Sequence, residues 1–150
     1  MSTALLWAYR GLTSGLPALL AALARRAHAR QGAAPERLCE RFGKATLPRP
    51  DGPLIWCHAA SVGEVQTLAA LAASLAIHGN LLVTTSTKTG AARAASALPP
   101  DTLHQFQPID TPAAVARFLD HWQPDMAVFS EADMPPNMLR TLKAHGVPSA

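Results

Sequence analysis

The chain of 150 residues has little charge, little cysteine and no long uninterrupted apolar run. Charged residues make up 15% against 49% hydrophobic residues, a balance that excludes a disordered chain and fits one domain with a real core. The two cysteines, Cys39 and Cys57, have no metal-type spacing, so a reduced cytosolic protein is the simple reading, with a disulfide left open. The histidines lack ligand spacing too, and no metal site is expected. Gly-x-x-x-x-Gly-Lys is absent, which excludes a P-loop, and no Gly-x-Gly-x-x-Gly follows the first strand, which excludes the dinucleotide fingerprint. No cofactor is therefore expected. The apolar segment from Ala4 to Ala24 is interrupted by Gly11, Gly15 and Pro17, and Gly15 to Ala24 is shorter than the roughly 20 residues that span a bilayer.

The charge that is present is uneven. The net charge is +3, from 13 basic and 10 acidic residues. Residues 1–50 carry Arg10, Arg25, Arg26, Arg30, Arg37, Arg41, Lys44 and Arg49 against Glu36 and Glu40. No aromatics are interleaved with these charges, so they fit an anionic membrane surface better than nucleic acid. Three readings of the N-terminal segment stay open: a membrane-associating helix with a basic flank over residues 1–30, a cleaved signal peptide ending near Ala27-His28-Ala29, or an amphipathic helix packed on the domain or a partner. Basic residues after the apolar stretch are in the wrong order for a signal peptide. Residues 31–53, rich in Pro and Gly, read as a connector holding one short helix, Pro35 to Phe42, and a turn at Arg49-Pro50-Asp51-Gly52.

The third segment, 54–150, is organised around Leu54-Ile55-Trp56-Cys57-His58-Ala59-Ala60-Ser61-Val62-Gly63-Glu64. Leu54 to Cys57 suits a buried parallel strand. Ser61 can cap a helix, with Glu64 three residues on as in a capping box. The helix runs from Val62 to about His78, with Val65, Leu68, Ala69, Leu71, Ala72, Leu75 and Ala76 as its apolar face. Further strands are expected at Leu81 to Thr85, Leu103 to Phe106 and Met126 to Phe129. Helices are expected at Thr89 to Ala97, from Pro112 (after a Thr111 cap) to Trp122, and at Asn137 to His145. Val147 should begin a fifth strand. Alternation of this kind means an α/β fold, a Rossmann-like parallel sheet whose ligands bind at the carboxyl ends of the strands.

Three clusters near those strand ends bear chemistry. Glu64 is either a capping carboxylate or a catalytic one, and a helix N-terminus would keep it ionised and poised as a base. Thr84, Thr85, Ser86, Thr87 and Thr89, with Lys88 and Gly90, read either as an anion site or as ordinary capping at a Thr-rich strand end. Glu131 and Asp133 are either site carboxylates or charge that favours a helix start. His58 packs structurally or orients a substrate.

His58-Ala59-Ala60-Ser61-Val62-Gly63-Glu64 resembles the H-A-x-S-V-G-E signature of the 3-deoxy-D-manno-octulosonic acid (Kdo) transferases. Arg41-Phe42-Gly43 is similar to that family's Arg-x-Gly, Thr84 to Gly90 to its Thr-rich strand end, Pro108-Ile109-Asp110 to its Pro-x-Asp, and Trp122-Gln123-Pro124 to its Trp-x-Pro. Ser130 to Asn137 resembles its Glu-Thr-Glu-Leu-Trp-Pro-Asn loop, matching at Glu131, Pro136 and Asn137 but with Asp133 for Glu, Ala132 for Thr and Pro135 for Trp. The resemblance implies the N-terminal, acceptor-side half of an inverting GT-B glycosyltransferase, preceded by a membrane-associating helix. It implies metal-free transfer of Kdo from CMP-Kdo to a lipid A precursor in lipopolysaccharide assembly, at the cytoplasmic face of the inner membrane. Glu64 would be the base, and His58, Ser61, Gly63, Thr85, Ser86, Thr87, Lys88, Thr89 and Gly90 would contact the acceptor. Glu131, Asp133 and Asn137 would belong to an active-site loop. Donor contacts would come from a C-terminal domain beyond these residues, so the 150-residue chain alone is expected to be inactive. A non-catalytic, membrane-associated domain binding an anionic lipid is the alternative, and a truncated product that is never a stable protein is a third reading.

Overall fold

A computed structural model describes residues 3–130 and 135–150, with side chains from Trp7 onward apart from Pro17. Four strands, β1 (Leu54–His58), β2 (Asn80–Thr85), β3 (Leu103–Phe106) and β4 (Met126–Phe129), form one parallel sheet in the order β3-β2-β1-β4. β1 is central. It pairs in register from Leu54↔Asn80 to His58↔Thr84 on one side and from Ile55↔Met126 to His58↔Phe129 on the other. All five of its residues are buried, as the continuous apolar run requires.

The period-two alternation of the strands divides the core into two layers. Leu54, Trp56, Leu82 and Ala127 pack with Val115, Phe118, Leu119 and Trp122 of α5 (Pro112–Trp122) and with Met138 and Leu142 of α6 (Pro136–Ala144). Ile55, Cys57, Leu81 and Val83 face the other way, against Val65, Leu68 and Ala72 of α3 (Val62–Ala76) and Ala94 of α4 (Lys88–Ala97). Burying a side chain such as Phe118 contributes about 1.5–3 kcal/mol. The two buried indoles also satisfy their polar ends: Trp56 Nε1 donates to Thr84 Oγ1 at 2.9 Å and Trp122 Nε1 to Gln105 Oε1 at 2.7 Å.

Expected and observed element ends agree within about two residues. α3 stops at Ala76, and Leu71, expected on its apolar face, is largely exposed. The fifth strand is reduced to a parallel bridge between Ala127 and Ser149, where the Ala127 N–H donates to Pro148 O and the Ala150 N–H to Ala127 O. Both cysteines are free thiols.

The N-terminal third is largely helical, the expected short helix at Pro35–Phe42 included. It forms two α-helices, α1 (Thr3–Gly15) and α2 (Pro17–Arg30), broken where Pro17 starts the second. Arg25, Arg26 and Arg30 lie on α2 itself and not on a flank. No described helix is long and apolar enough to cross a membrane. The stretch read as a connector is packed into the domain. Its Pro35–Phe42 segment is a 3-10 helix in which Glu40 is fully buried. Gly43 ends that helix at φ +77°, and a Cβ there would run into the Ala114 carbonyl of α5. Only glycine fits such an approach at such a φ.

Candidate active site

The chain passes from β1 outward to β2 and β3, then returns by α5 to place β4 on the other side of β1. β1 and β4 are therefore neighbours at the point where the strand order reverses. Ligands of open α/β sheets bind at such a switch point. Glu64 stands there, on the first turn of α3.

Ser61 caps α3, its hydroxyl accepting the Glu64 N–H at 3.3 Å. The Glu64 carboxylate does not reach back to the Ser61 amide, as a simple capping box would have it. Oε2 instead accepts the Ala60 N–H at 2.8 Å and the Ser130 hydroxyl at 3.1 Å. Among the described residues, Oε1 has no hydrogen-bond partner. Partial burial pushes the carboxyl's pKa up, but the Ala60 amide, the Ser61 and Ser130 hydroxyls and nearby His58 outweigh it and hold the group below its ordinary value. Glu64 is therefore an ionised carboxylate with Oε2 anchored.

His58 ends β1, buried, with Nδ1 2.9 Å from Thr84 Oγ1. Burial depresses its pKa against the opposing pull of Glu64 and Thr84, so the ring is neutral at pH 7. Ser61 and Gly63 are exposed beside Glu64. Among the described residues, a Cβ on Gly63 would meet only Ser61 Oγ, at 3.9 Å, an ordinary contact.

The Thr-rich segment is less open than the sequence implied. Thr85 is buried and its hydroxyl serves His104 and the Thr87 carbonyl. The Ser86 hydroxyl donates to Gln107 Oε1, and Thr87 caps α4 by accepting the Gly90 N–H. The Lys88 amide donates to Gln31 Oε1. Gly90 is a packing glycine: a Cβ would lie 3.0 Å from Thr87 Oγ1 and 3.6 Å from Ala60 O. The Lys88 and Thr89 side chains remain exposed. This geometry favours capping over a ready-made anion cradle.

Asn137 sits away from the Glu64 cluster in its contacts. Its Nδ2 donates to Asp110 O and Thr13 Oγ1, and the Asn137 and Met138 amides donate to the two carboxylate oxygens of Asp110. Asp110 thus caps α6 from a distant loop and ties it to α1. Burial raises the Asp110 pKa, against bonds from Asn137, Tyr9 and Met138. Glu131 and Asp133 lie outside the described residues.

Two features escaped the sequence reading. One is Ser130, a residue with no distinguishing local pattern. The other is a buried cluster under the Thr-rich segment. The Glu40 carboxylate accepts Arg37 Nε and Nη2, Thr46 Oγ1 and the Phe106 amide. Arg37 Nη2 also donates to His104 Nδ1 at 2.7 Å. A guanidinium can only donate, so His104 carries its proton on Nε2 and gives it to Thr85 Oγ1. Burial and the neighbouring Arg37 push the His104 pKa down to about 4, in keeping with that neutral tautomer. A cavity of about 480 Å³, lined by Ile77, Asn80, Pro99 and Asp101, lies at the amino ends of the strands, on the opposite edge from Glu64.

Fold and site together define a parallel α/β domain with an anchored carboxylate at its switch point, the arrangement of a Rossmann-like glycosyltransferase N-terminal domain. Residues 36–150 match the family model described as 3-deoxy-D-manno-octulosonic-acid transferase (kdotransferase), and the chain belongs to that family. It is 37% identical over 138 residues to a protein of Arabidopsis thaliana named probable 3-deoxy-D-manno-octulosonic acid transferase, mitochondrial, covering 87% of this chain and 30% of that protein. It is 34% identical to the 3-deoxy-D-manno-octulosonic acid transferase of Haemophilus influenzae (75% of this chain, 27% of the relative) and 41% identical to that of Rickettsia prowazekii (55% and 19%). The chain thus spans less than a third of the length of these curated relatives. No solved structure matches it significantly.

Proposed function

We propose that this domain is the acceptor side of a GT-B glycosyltransferase that moves Kdo from CMP-Kdo to a lipid A precursor, with Glu64 as general base. The observation that carries the reading is the ionised carboxylate anchored by one oxygen, the other unbonded among the described residues, set at the switch point of a Kdo transferase family domain. Glu64 Oε1 takes the proton of the acceptor hydroxyl as that oxygen bonds to the anomeric carbon of Kdo. The bond from that carbon to the phosphate oxygen breaks, and CMP leaves with the electron pair. A carboxylate held at low pKa is a weak base towards a free alcohol. It accepts the proton only as C–O bond formation makes the hydroxyl acidic, so proton transfer is coupled to attack.

His58, Ser61 and Gly63 line the acceptor's approach in this reading, and the bare Cα of Gly63 leaves room for a sugar against the helix start. Of the Thr-rich segment, the exposed Lys88 and Thr89 are best placed to meet acceptor phosphate; Thr85, Ser86, Thr87 and Gly90 shape the loop beneath them. Exposed Trp7, Leu12, Leu16, Leu19 and Leu23 on and between α1 and α2, beside Arg25, Arg26 and Arg30, support docking on the anionic cytoplasmic face of the inner membrane.

The test is to incubate the intact native protein with CMP-Kdo and lipid A precursor. Kdo transfer is expected, and none from residues 1–150 alone, because GT-B donor contacts come mainly from the other domain. Precursor binding with no transfer by the intact protein would contradict the enzymatic reading.

A further inference from the structure

Arg41 is buried, yet among the described residues no carboxylate pairs with it. The adjacent Glu40 is committed to Arg37 at 2.8 Å. A buried guanidinium without an ion-pair partner is costly, so what its donors hold is informative. Nη2 donates to Ser86 O at 2.9 Å and Nη1 to Gln107 O at 3.3 Å. Those carbonyls belong to the residues that leave β2 and β3. The group also stacks on Phe106, 4.4 Å from the ring centroid.

Ser86 then connects to the candidate base. Its N–H donates to Ala60 O at 3.3 Å, and the Ala60 N–H donates to Glu64 Oε2 at 2.8 Å. The sequence Arg41, Ser86, Ala60, Glu64 is a continuous run of hydrogen bonds across three separate segments of the chain. We infer that Arg41 is a positioning residue for Glu64: by clamping the turn after β2 it holds Ala60 through its carbonyl, and the N–H of that fixed residue anchors one oxygen of the carboxylate.

The inference deepens the reading of Glu64 as the base and rests on it for its catalytic meaning. The linkage itself is physical and independent of turnover. Loosening Ala60 would displace its N–H, one of the two donors on Oε2, and leave Ser130 as the other. Arg41 touches neither Glu64 nor the space before Oε1, so it acts only through Ser86 and Ala60. Lysine cannot replace it, since one ammonium cannot present the forked donors that reach two carbonyls.

The experiment is a carboxyl-carbon NMR titration of Glu64, with amide exchange at Ala60, in the intact native protein and in its Arg41→Lys and Arg41→Gln variants. Val115→Ala serves as a control that loosens the core without touching the hydrogen-bond run. Both Arg41 variants should raise the Glu64 pKa towards the ordinary carboxylate value and lower Ala60 amide protection on the order of tenfold. The Val115→Ala variant should leave the Glu64 titration unchanged. Gln107→Ala removes the acceptor of the Ser86 hydroxyl with Arg41 in place, so it loosens Ser86, the residue through which Arg41 reaches Ala60, even if the Arg41 variants do not fold; it should move Glu64 in the same direction by less. A Glu64 titration that stays put in the folded Arg41 variants, or in Gln107→Ala where those do not fold, overturns the inference. A failed base assignment would show separately, as transfer surviving Glu64→Gln.

Discussion

The Ser130 hydroxyl lies 3.1 Å from Glu64 Oε2, joining the loop after β4 to the helix after β1 across the mouth of the sheet. The Ala60 amide donates to the same oxygen, and among the described residues Oε1 has no hydrogen-bond partner.

Ser130→Ala should therefore raise the Glu64 pKa. The folded value lies below the ordinary one, so Glu64 stabilises the fold above the unfolded carboxylate value, and that contribution is lost as pH falls through the lower, folded one. Removing the hydroxyl brings the two values together. In an NMR titration the Glu64 transition moves to higher pH, and the acid limb of kcat/KM moves with it. An unshifted transition would mean that the Ser130 contact does not bear on Glu64.

Gly43 and Gly63 should behave oppositely. Gly43→Ala places a Cβ against the Ala114 carbonyl at φ +77° and should cost upwards of about 1–3 kcal/mol in denaturant unfolding. Gly63→Ala meets only Ser61 Oγ at 3.9 Å and has helical propensity in its favour, so stability should be unchanged or slightly raised. If the bare face of Gly63 admits the acceptor, its KM should rise. A wild-type KM for Gly63→Ala would remove Gly63 from the acceptor path.

His104 predicts an acid sensitivity outside the site. Its folded pKa of about 4 lies below the ordinary 6.5, so the unfolded chain binds the extra proton first. Stability is full above about pH 6.5 and is lost as pH falls towards 4, by on the order of 2–3 kcal/mol from this group. Melting curves across that window should show the slope, and His104→Gln, which cannot charge, should flatten it.

Much of this was legible because the signals are local. The apolar run at β1, the Ser61 to Glu64 cap and the Thr111-Pro112 helix start each declare themselves within a few residues, and the structure places all three as expected. The family signature pointed to Glu64. What stayed hidden depends on residues brought together from afar. Asp110 caps α6 across 27 positions, Ser130 reaches Glu64 across 66, and Arg41 reaches Ser86 across 45. The burial of Thr85 was equally hidden, because a threonine at a strand end shows the same sequence whether its hydroxyl faces solvent or a neutral histidine. The packed state of residues 31–53 was masked by their Pro and Gly content, although Gly43 marks a close helix approach and not a loose linker.

The central claim is that Glu64 takes the acceptor's proton. The most direct measurement is the rate of Kdo transfer from CMP-Kdo to lipid A precursor by the intact native protein and its Glu64→Gln variant, with melting curves recorded beside it. The substitution keeps the size of the side chain and an acceptor oxygen for the Ala60 amide, but an amide does not take the proton. We predict kcat lower by about 10²–10⁴-fold with little change in melting temperature. A Glu64→Gln protein that transfers Kdo within a few-fold of wild type would contradict the account and reduce Glu64 to a helix cap.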